Sequence, residues 1–227
     1  MAKPADPRYR RGPRSPGTCP MTDTPDQPQL YLICPPDFEL SLFPDLLGRV
    51  LDGAELACVR LAPASRYEDR IARMADACRA VTHARDIALV IADHAILAER
   101  LGLDGVHLTD GARSVRAARK RLGRDAIVGA YCGQSRHDGM NAGELDADYV
   151  SFGPVGESAL GDGRRAEPEL FRWWSEMIEV PVVAEGALDN GSRRAVAPHA
   201  DFLALGDEIW SAEDPVAALQ EIARSLG

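Results

Sequence analysis

The sequence predicts a single closed barrel of eight parallel strands sheathed by helices, the α/β architecture known as the (β/α)8 or TIM barrel. Three observations carry this expectation. Short apolar runs recur eight times, each followed by a stretch with helical spacing. The runs are apolar throughout rather than alternating, which is the pattern of strands buried on both faces of a parallel sheet. The eight units fit into about 200 residues, the size of such a barrel. An open doubly wound sheet competes. It favours about five or six strands and a glycine-rich first turn. Here that turn reads Pro35-Pro36-Asp37, and no G-x-G-x-x-G occurs.

The first strand is expected at 30–34 (LYLIC), ended by Pro35-Pro36 because proline cannot donate to a ladder. A helix over 40–51 leads to the second strand, 54–61 (AELACVRL). The next helix, 66–84, sets Ile71, Met74, Ala75 and Cys78 at helical spacing on a polar surface. The third strand is 87–92 (IALVIA), and Asp93 is placed to cap the helix after it. The fourth is 104–108 (DGVHL), followed by a helix over 114–122 that Gly123 ends. Strand five is 126–131 (AIVGAY), with a helix over 135–144. Strand six is 148–153 (DYVSFG). Gly153-Pro154 then opens a polar loop over 153–166 ahead of a helix at 168–178. Connections are usually only a few residues long, so this loop reads as a cover for the barrel mouth. Strand seven is 181–186 (PVVAEG), with a helix over 190–197. Strand eight is 201–206 (DFLALG), with a last helix over 214–226.

Residues 1–28 stand apart. They hold seven of the 16 prolines and almost nothing apolar. They lack the apolar core of a secretory signal, so a disordered Pro/Arg-rich tail is expected, with the barrel domain over 29–227. Met21, just ahead of the apolar pattern, is the expected native start. Hydrophobic residues make up 45% of the 227, enough for a large core without metal or disulfide support. The net charge of -9 argues against a nucleic-acid binder, which needs a basic face, but leaves room for a local basic pocket. No apolar run is long enough for a membrane span. The five cysteines, an odd number without C-x-x-C, speak against a disulfide framework or structural zinc and for a reducing, cytoplasmic setting.

A TIM barrel keeps its site at the C-terminal ends of its strands. Those ends bear Arg60, Asp93-His94, His107 to Asp110, Tyr131, Gly153-Pro154, Glu185-Gly186 and Gly206-Asp207. The loops after strands seven and eight often bind phosphate. Here they carry Gly186 and Gly206, whose backbones can approach an anion, and a helix N-terminus near Asn190.

The strand ends also form a series: Arg60, then V-I-A-D-H at 90–94, L-G-L-D-G-V-H-L at 101–108, A-D-Y-V-S-F-G-P-V at 147–155 and P-V-V-A-E-G at 181–186. The series resembles the thiamine phosphate synthase family, which includes a thiazole tautomerase branch, over residues 30–226. The resemblance implies a transferase of thiamine biosynthesis. Such an enzyme joins hydroxymethylpyrimidine diphosphate to thiazole phosphate and releases pyrophosphate, with Mg2+ on the diphosphate. It implies phosphorylated small molecules as partners, with room for a homodimer.

Residue by residue, Arg60 matches the Arg of the family's Gln-x-Arg-x-Lys and is the expected catalytic and substrate-binding cation, while Cys58 and Ala62 replace the Gln and Lys. Asp93 matches the magnesium-type Asp of Asn-Asp-Arg, here Ala92-Asp93-His94. The second magnesium-type Asp aligns with Ala112, and Asp110 is the expected stand-in. Tyr131 stands at the family's Ser. The Thr-x-Thr-Lys loop becomes 157–162, which contains Ser158 but no lysine, and the double glycine becomes Gly186-Ala187. Losing one charged contact to a leaving diphosphate costs roughly 3 kcal/mol. His94, Arg136, Arg164 and Arg165 are the expected replacements. The tautomerase branch uses a His for proton transfer, which makes His137 the candidate acid–base of an alternative reading. A third reading is a non-catalytic barrel that binds a phosphorylated ligand. His107 is expected to be a hydrogen-bonded core residue.

Overall fold

A computed structural model describes residues 27–158, 160 and 163–226. The expected tail, apart from Gln27 and Pro28, and the start at Met21 lie outside the described residues. Eight parallel strands pair in chain order, and β8 returns to β1 to close the barrel. The first half runs β1 Gln29–Ile33, α1 Phe43–Leu51, β2 Leu56–Leu61, α2 Glu68–His83, β3 Ala88–Ala92, α3 Ala95–Leu101, β4 Gly105–Leu108 and α4 Val115–Leu122. The second half runs β5 Ile127–Tyr131, α5 Arg136–Glu144, β6 Tyr149–Phe152, α6 Pro168–Met177, β7 Val182–Glu185, α7 Asn190–Val196, β8 Phe202–Leu205, α8 Asp207–Trp210 and α9 Pro215–Leu226. Among the described residues, no helix is long and apolar enough to cross a membrane.

The expected order holds, with three differences. The first helix starts at Phe43 rather than 40, because Pro44 sits in its first turn, where a fixed φ is tolerated and a missing N–H costs nothing. Asp93 does not cap α3. His94 is the N-cap residue, while Asp93 has a left-handed φ of 58° and turns its carboxylate to Thr109. The short helix α8 was not foreseen, since one turn carries too few residues to show a period.

The apolar strands build two separate cores, because successive side chains point to opposite sides of the barrel wall. Residues such as Leu32, Val59, Ile91, Val150 and Phe152 face the helices and join the larger cluster. Tyr31, Cys58, Val90, Tyr149, Val183 and Ala204 form the smaller cluster that fills the interior. Gly129 explains how Tyr149 fits inside. A Cβ at Gly129 would lie 2.0 Å from the Tyr149 ring, so the strand gives up a side chain where the phenol crosses.

Gly129→Ala is therefore expected to destabilise the fold by about 1–3 kcal/mol, the usual cost of overpacking. It should appear as a lower urea midpoint at unchanged slope; an unchanged midpoint would show that Tyr149 has room to move.

Candidate active site

The inward positions nearest the C-terminal ends of the strands are polar. Arg60 of β2, His107 of β4, Ser151 of β6 and Glu185 of β7 are all buried there. Burying a lone charge in such a place costs several kcal/mol, roughly, unless it is paired. Arg60 meets this requirement across the lumen. Its Nη2 donates to Glu185 Oε2, and Ser151 Oγ donates to Glu185 Oε1 at 2.6 Å. Arg60 Nη1 lies 2.6 Å from His107 Nε2. A guanidinium only donates, so Nε2 is the acceptor and the imidazole proton sits on Nδ1. That Nδ1–H reaches the Tyr149 hydroxyl at 2.8 Å, and Tyr149 lies 2.9 Å from the Tyr31 hydroxyl. Among the described residues, Arg60 Nε is the buried side-chain polar atom left without a partner.

The electrostatics follow from this packing. Burial, then the Arg60 charge beside it, holds the His107 imidazole down to about 3, so it is neutral. Burial alone raises the Glu185 carboxyl. The Arg60 charge, with His107 and the hydrogen bonds from Arg60 and Ser151, outweighs it and leaves the group below its ordinary value. Burial pushes the Cys58 thiol up to about 12 and raises both tyrosines, so none of the three supplies an anion at neutral pH. The floor of the mouth is a neutral, hydrogen-bonded plate.

The rim carries the remaining candidates. Asp93 is exposed and accepts from Thr109 N at 2.8 Å and from Thr109 Oγ1 at 2.6 Å. Asp110 accepts from Ser114 Oγ at 2.6 Å. Both carboxylates border one depression of about 380 Å3 that also touches Ala95 of α3 and Arg121 of α4. His94 is half-buried at the start of α3. Tyr131 donates to Gly153 O at 2.7 Å, which ties strand five to the root of the strand-six loop. Arg164, from that loop, donates to the Gln134 amide oxygen from Nε at 2.8 Å and Nη2 at 3.0 Å. Ser158 is exposed and accepts from Leu160 N at 3.1 Å. Arg136 stacks on Trp173 at 4.5 Å, and exposed His137 lies beside Asn141, with Nε2 3.1 Å from Nδ2.

The two glycines expected at a phosphate differ. Gly186 has a left-handed φ of 87° and packs on Pro154. Gly206 N instead donates to Glu208 Oε2 at 2.8 Å, while Glu208 Oε1 accepts from Leu188 N at 2.7 Å. The α7 N-terminus is also occupied, because Asp189 accepts from Ser192 N at 2.7 Å. Sequence reasoning placed Glu185 at the mouth, as the polar residue closing the apolar run PVVAEG, but gave it no role, and it missed Tyr149 and Glu208 as site residues. Nothing in the sequence marked Tyr149 or Glu208.

Comparison with known proteins fits this picture. Residues 30–209 match the family described as Thiamine monophosphate synthase. The chain is 39% identical over 201 residues to a thiamine-phosphate synthase of Rhodospirillum centenum, covering 87% of this chain and 97% of that one. It is 37% identical over 212 residues to a thiamine-phosphate synthase of Erythrobacter litoralis, covering 91% and 99%. The solved thiamine phosphate pyrophosphorylase of Pyrococcus furiosus superposes with a TM-score of 0.76 at 23% identity, covering 87% and 95%, a likeness of fold.

Two outcomes follow from the floor. Glu185→Ala strands the Arg60 charge and is expected to cost about 3–5 kcal/mol, read by urea unfolding; a loss under 1 kcal/mol, roughly, would mean water reaches Arg60. His107 is depressed in the folded state, so its contribution is complete above the ordinary value of 6.5 and is lost as pH falls toward 3. Between about pH 6.5 and 5 the wild type should lose stability faster than His107→Gln. Parallel curves would remove His107 from the linkage.

Proposed function

The chain belongs to the thiamine monophosphate synthase family, and from that premise we propose that it catalyses the synthase reaction itself. It joins hydroxymethylpyrimidine diphosphate to thiazole phosphate. The bond from the pyrimidine methylene to the diphosphate oxygen breaks, and its electron pair leaves with pyrophosphate. The thiazole nitrogen lone pair then closes the new C–N bond. The observation that carries this reading is the likeness to thiamine-phosphate synthases over nearly their whole length, with Asp93 and Asp110 bordering one depression at the rim.

Two carboxylates suit Mg2+, which commonly takes one or two from the protein and fills its shell with phosphate oxygens and water. Among the described residues no group of three metal-ligating side chains occurs, so a cage made by protein alone is not the model for this site. Asp93 and Asp110 would hold the ion, and when bound it supplies charge neutralisation to the leaving diphosphate. Thr109 orients Asp93 through both carboxylate oxygens. Arg164 would add positive charge at the rim, and His94, at the start of α3, a further polar contact. The Arg60–Glu185 plate presents no net charge to a cation-like methylene, whereas an unpaired arginine there would repel it. Arg60 Nη1 and Nη2 are engaged by His107 and Glu185, and Nε is its donor without a partner.

The test supplies both substrates to the purified protein and measures thiamine phosphate and pyrophosphate, with and without Mg2+. Turnover is expected only with the ion. Asp93→Ala should lower it by a hundredfold or more, roughly, at an unchanged melting temperature. Equal turnover with and without Mg2+, or in Asp93→Ala, would remove the rim carboxylates from the mechanism. His137→Ala separates the readings: the synthase reaction survives it, a tautomerase reaction does not.

A further inference from the structure

The loops after β7 and β8 are where this architecture often holds a phosphate. In this chain an internal carboxylate sits on their N–H groups. Glu208 reaches Leu188 N with one oxygen and Gly206 N with the other, at 2.7 and 2.8 Å. The contact with Gly206 alone is local capping, a side chain reaching back to the N–H that opens its own helix. The contact with Leu188 is not local, since it spans 20 residues and joins two loops. Leu188 is fully buried, so its N–H needs a partner inside the protein or from a ligand. Arg193, also buried, donates to Leu188 O and Asn190 Oδ1. Its guanidinium is lowered by burial, and the charge of Glu208 is the foremost influence opposing that. A carboxylate held by two loops over a buried arginine has the donor set that a phosphate would otherwise take.

We propose that Glu208 is a specificity-determining residue, whose carboxylate occupies the anion cradle of the β7 and β8 loops so that a phosphate ester binds there only by displacing it. Two anions cannot share the same two donors, and at contact distance they repel each other. Glu208 is only half-buried, on a one-turn helix, so its side chain has a path to solvent. Exposed Asp207 adds a second negative charge on the same turn. The cradle therefore disfavours the phosphate of a ligand. Only the identity of the ester rests on the synthase reading; competition for the donors applies to any phosphate.

Calorimetry on the full chain tests this with inorganic phosphate, thiazole phosphate and the unphosphorylated thiazole alcohol. Glu208→Ala is expected to bind both phosphates at least tenfold tighter, roughly, than wild type, with the alcohol unchanged. Glu208→Gln, which removes the charge but keeps the bulk, should fall between. In wild type, saturating inorganic phosphate should shift the Leu188 and Gly206 backbone amide resonances, a readout that needs no variant to fold. Unchanged or weaker phosphate binding in both variants, or unmoved amides in wild type, would overturn the proposal and leave Glu208 as a tie between loops. Absent synthase turnover with tighter phosphate binding would sink the proposed reaction and keep this inference.

Discussion

A guanidinium and a carboxylate meet inside the barrel, and much of the interior is arranged around them. Arg60 and Glu185 come from strands that are not neighbours, so their contact crosses the lumen. Neither charge is tolerable there alone. The second carboxylate oxygen takes Ser151 and the second terminal nitrogen takes His107, while Arg60 Nε stays without a partner. His107 in turn needs an acceptor for its second nitrogen and finds Tyr149. Tyr149 needs space, and Gly129 leaves it. Five strands are thus joined through one polar chain from Tyr31 to Ser151. The two layers above and below it differ accordingly, an apolar plug beneath and a polar mouth above.

The rim follows another rule. Four of its carboxylates are held by donors from the same or a neighbouring loop: Asp93 by Thr109, Asp110 by Ser114, Asp189 by Ser192, and Glu208 by Leu188 and Gly206. The long loop after β6 is rooted by close backbone contact. A Cβ at Gly153 would lie 2.3 Å from Glu185 O, and one at Gly156 would lie 2.1 Å from Ala187 O. Val155 N and Gly156 N donate to the strand-seven turn. The Gly-Pro punctuation at the end of DYVSFG therefore serves packing as much as turning. It lays the loop root against the element that carries Glu185.

The barrel was legible from its strands because burial on both faces demands continuous apolar runs, and eight such runs with helices between them leave few other architectures. The rim was legible in part. Asp93, Asp110, His94 and Tyr131 end strands or open the loops after them, and position along a strand is enough to place a residue at the mouth. What Asp93 does there was misread as helix capping, since sequence order suggested the nearest helix and the left-handed turn moved the carboxylate to Thr109.

Partnership across space was not legible. Arg60 and Glu185 lie 125 residues apart, and nothing in either segment names the other. Arg60 reads as a free cation until the closed sheet places Glu185 opposite it. Gly206 reads as an open anion cradle until one turn of helix folds Glu208 back over it. By itself the sequence determined how many strands there are, where each ends and which chemistry reaches the mouth, because these depend on local runs of apolar residues and the polar residues that end them. Only the tertiary structure decided which charges are already spoken for, because pairing depends on the closure of the barrel, which brings distant strands within hydrogen-bond reach.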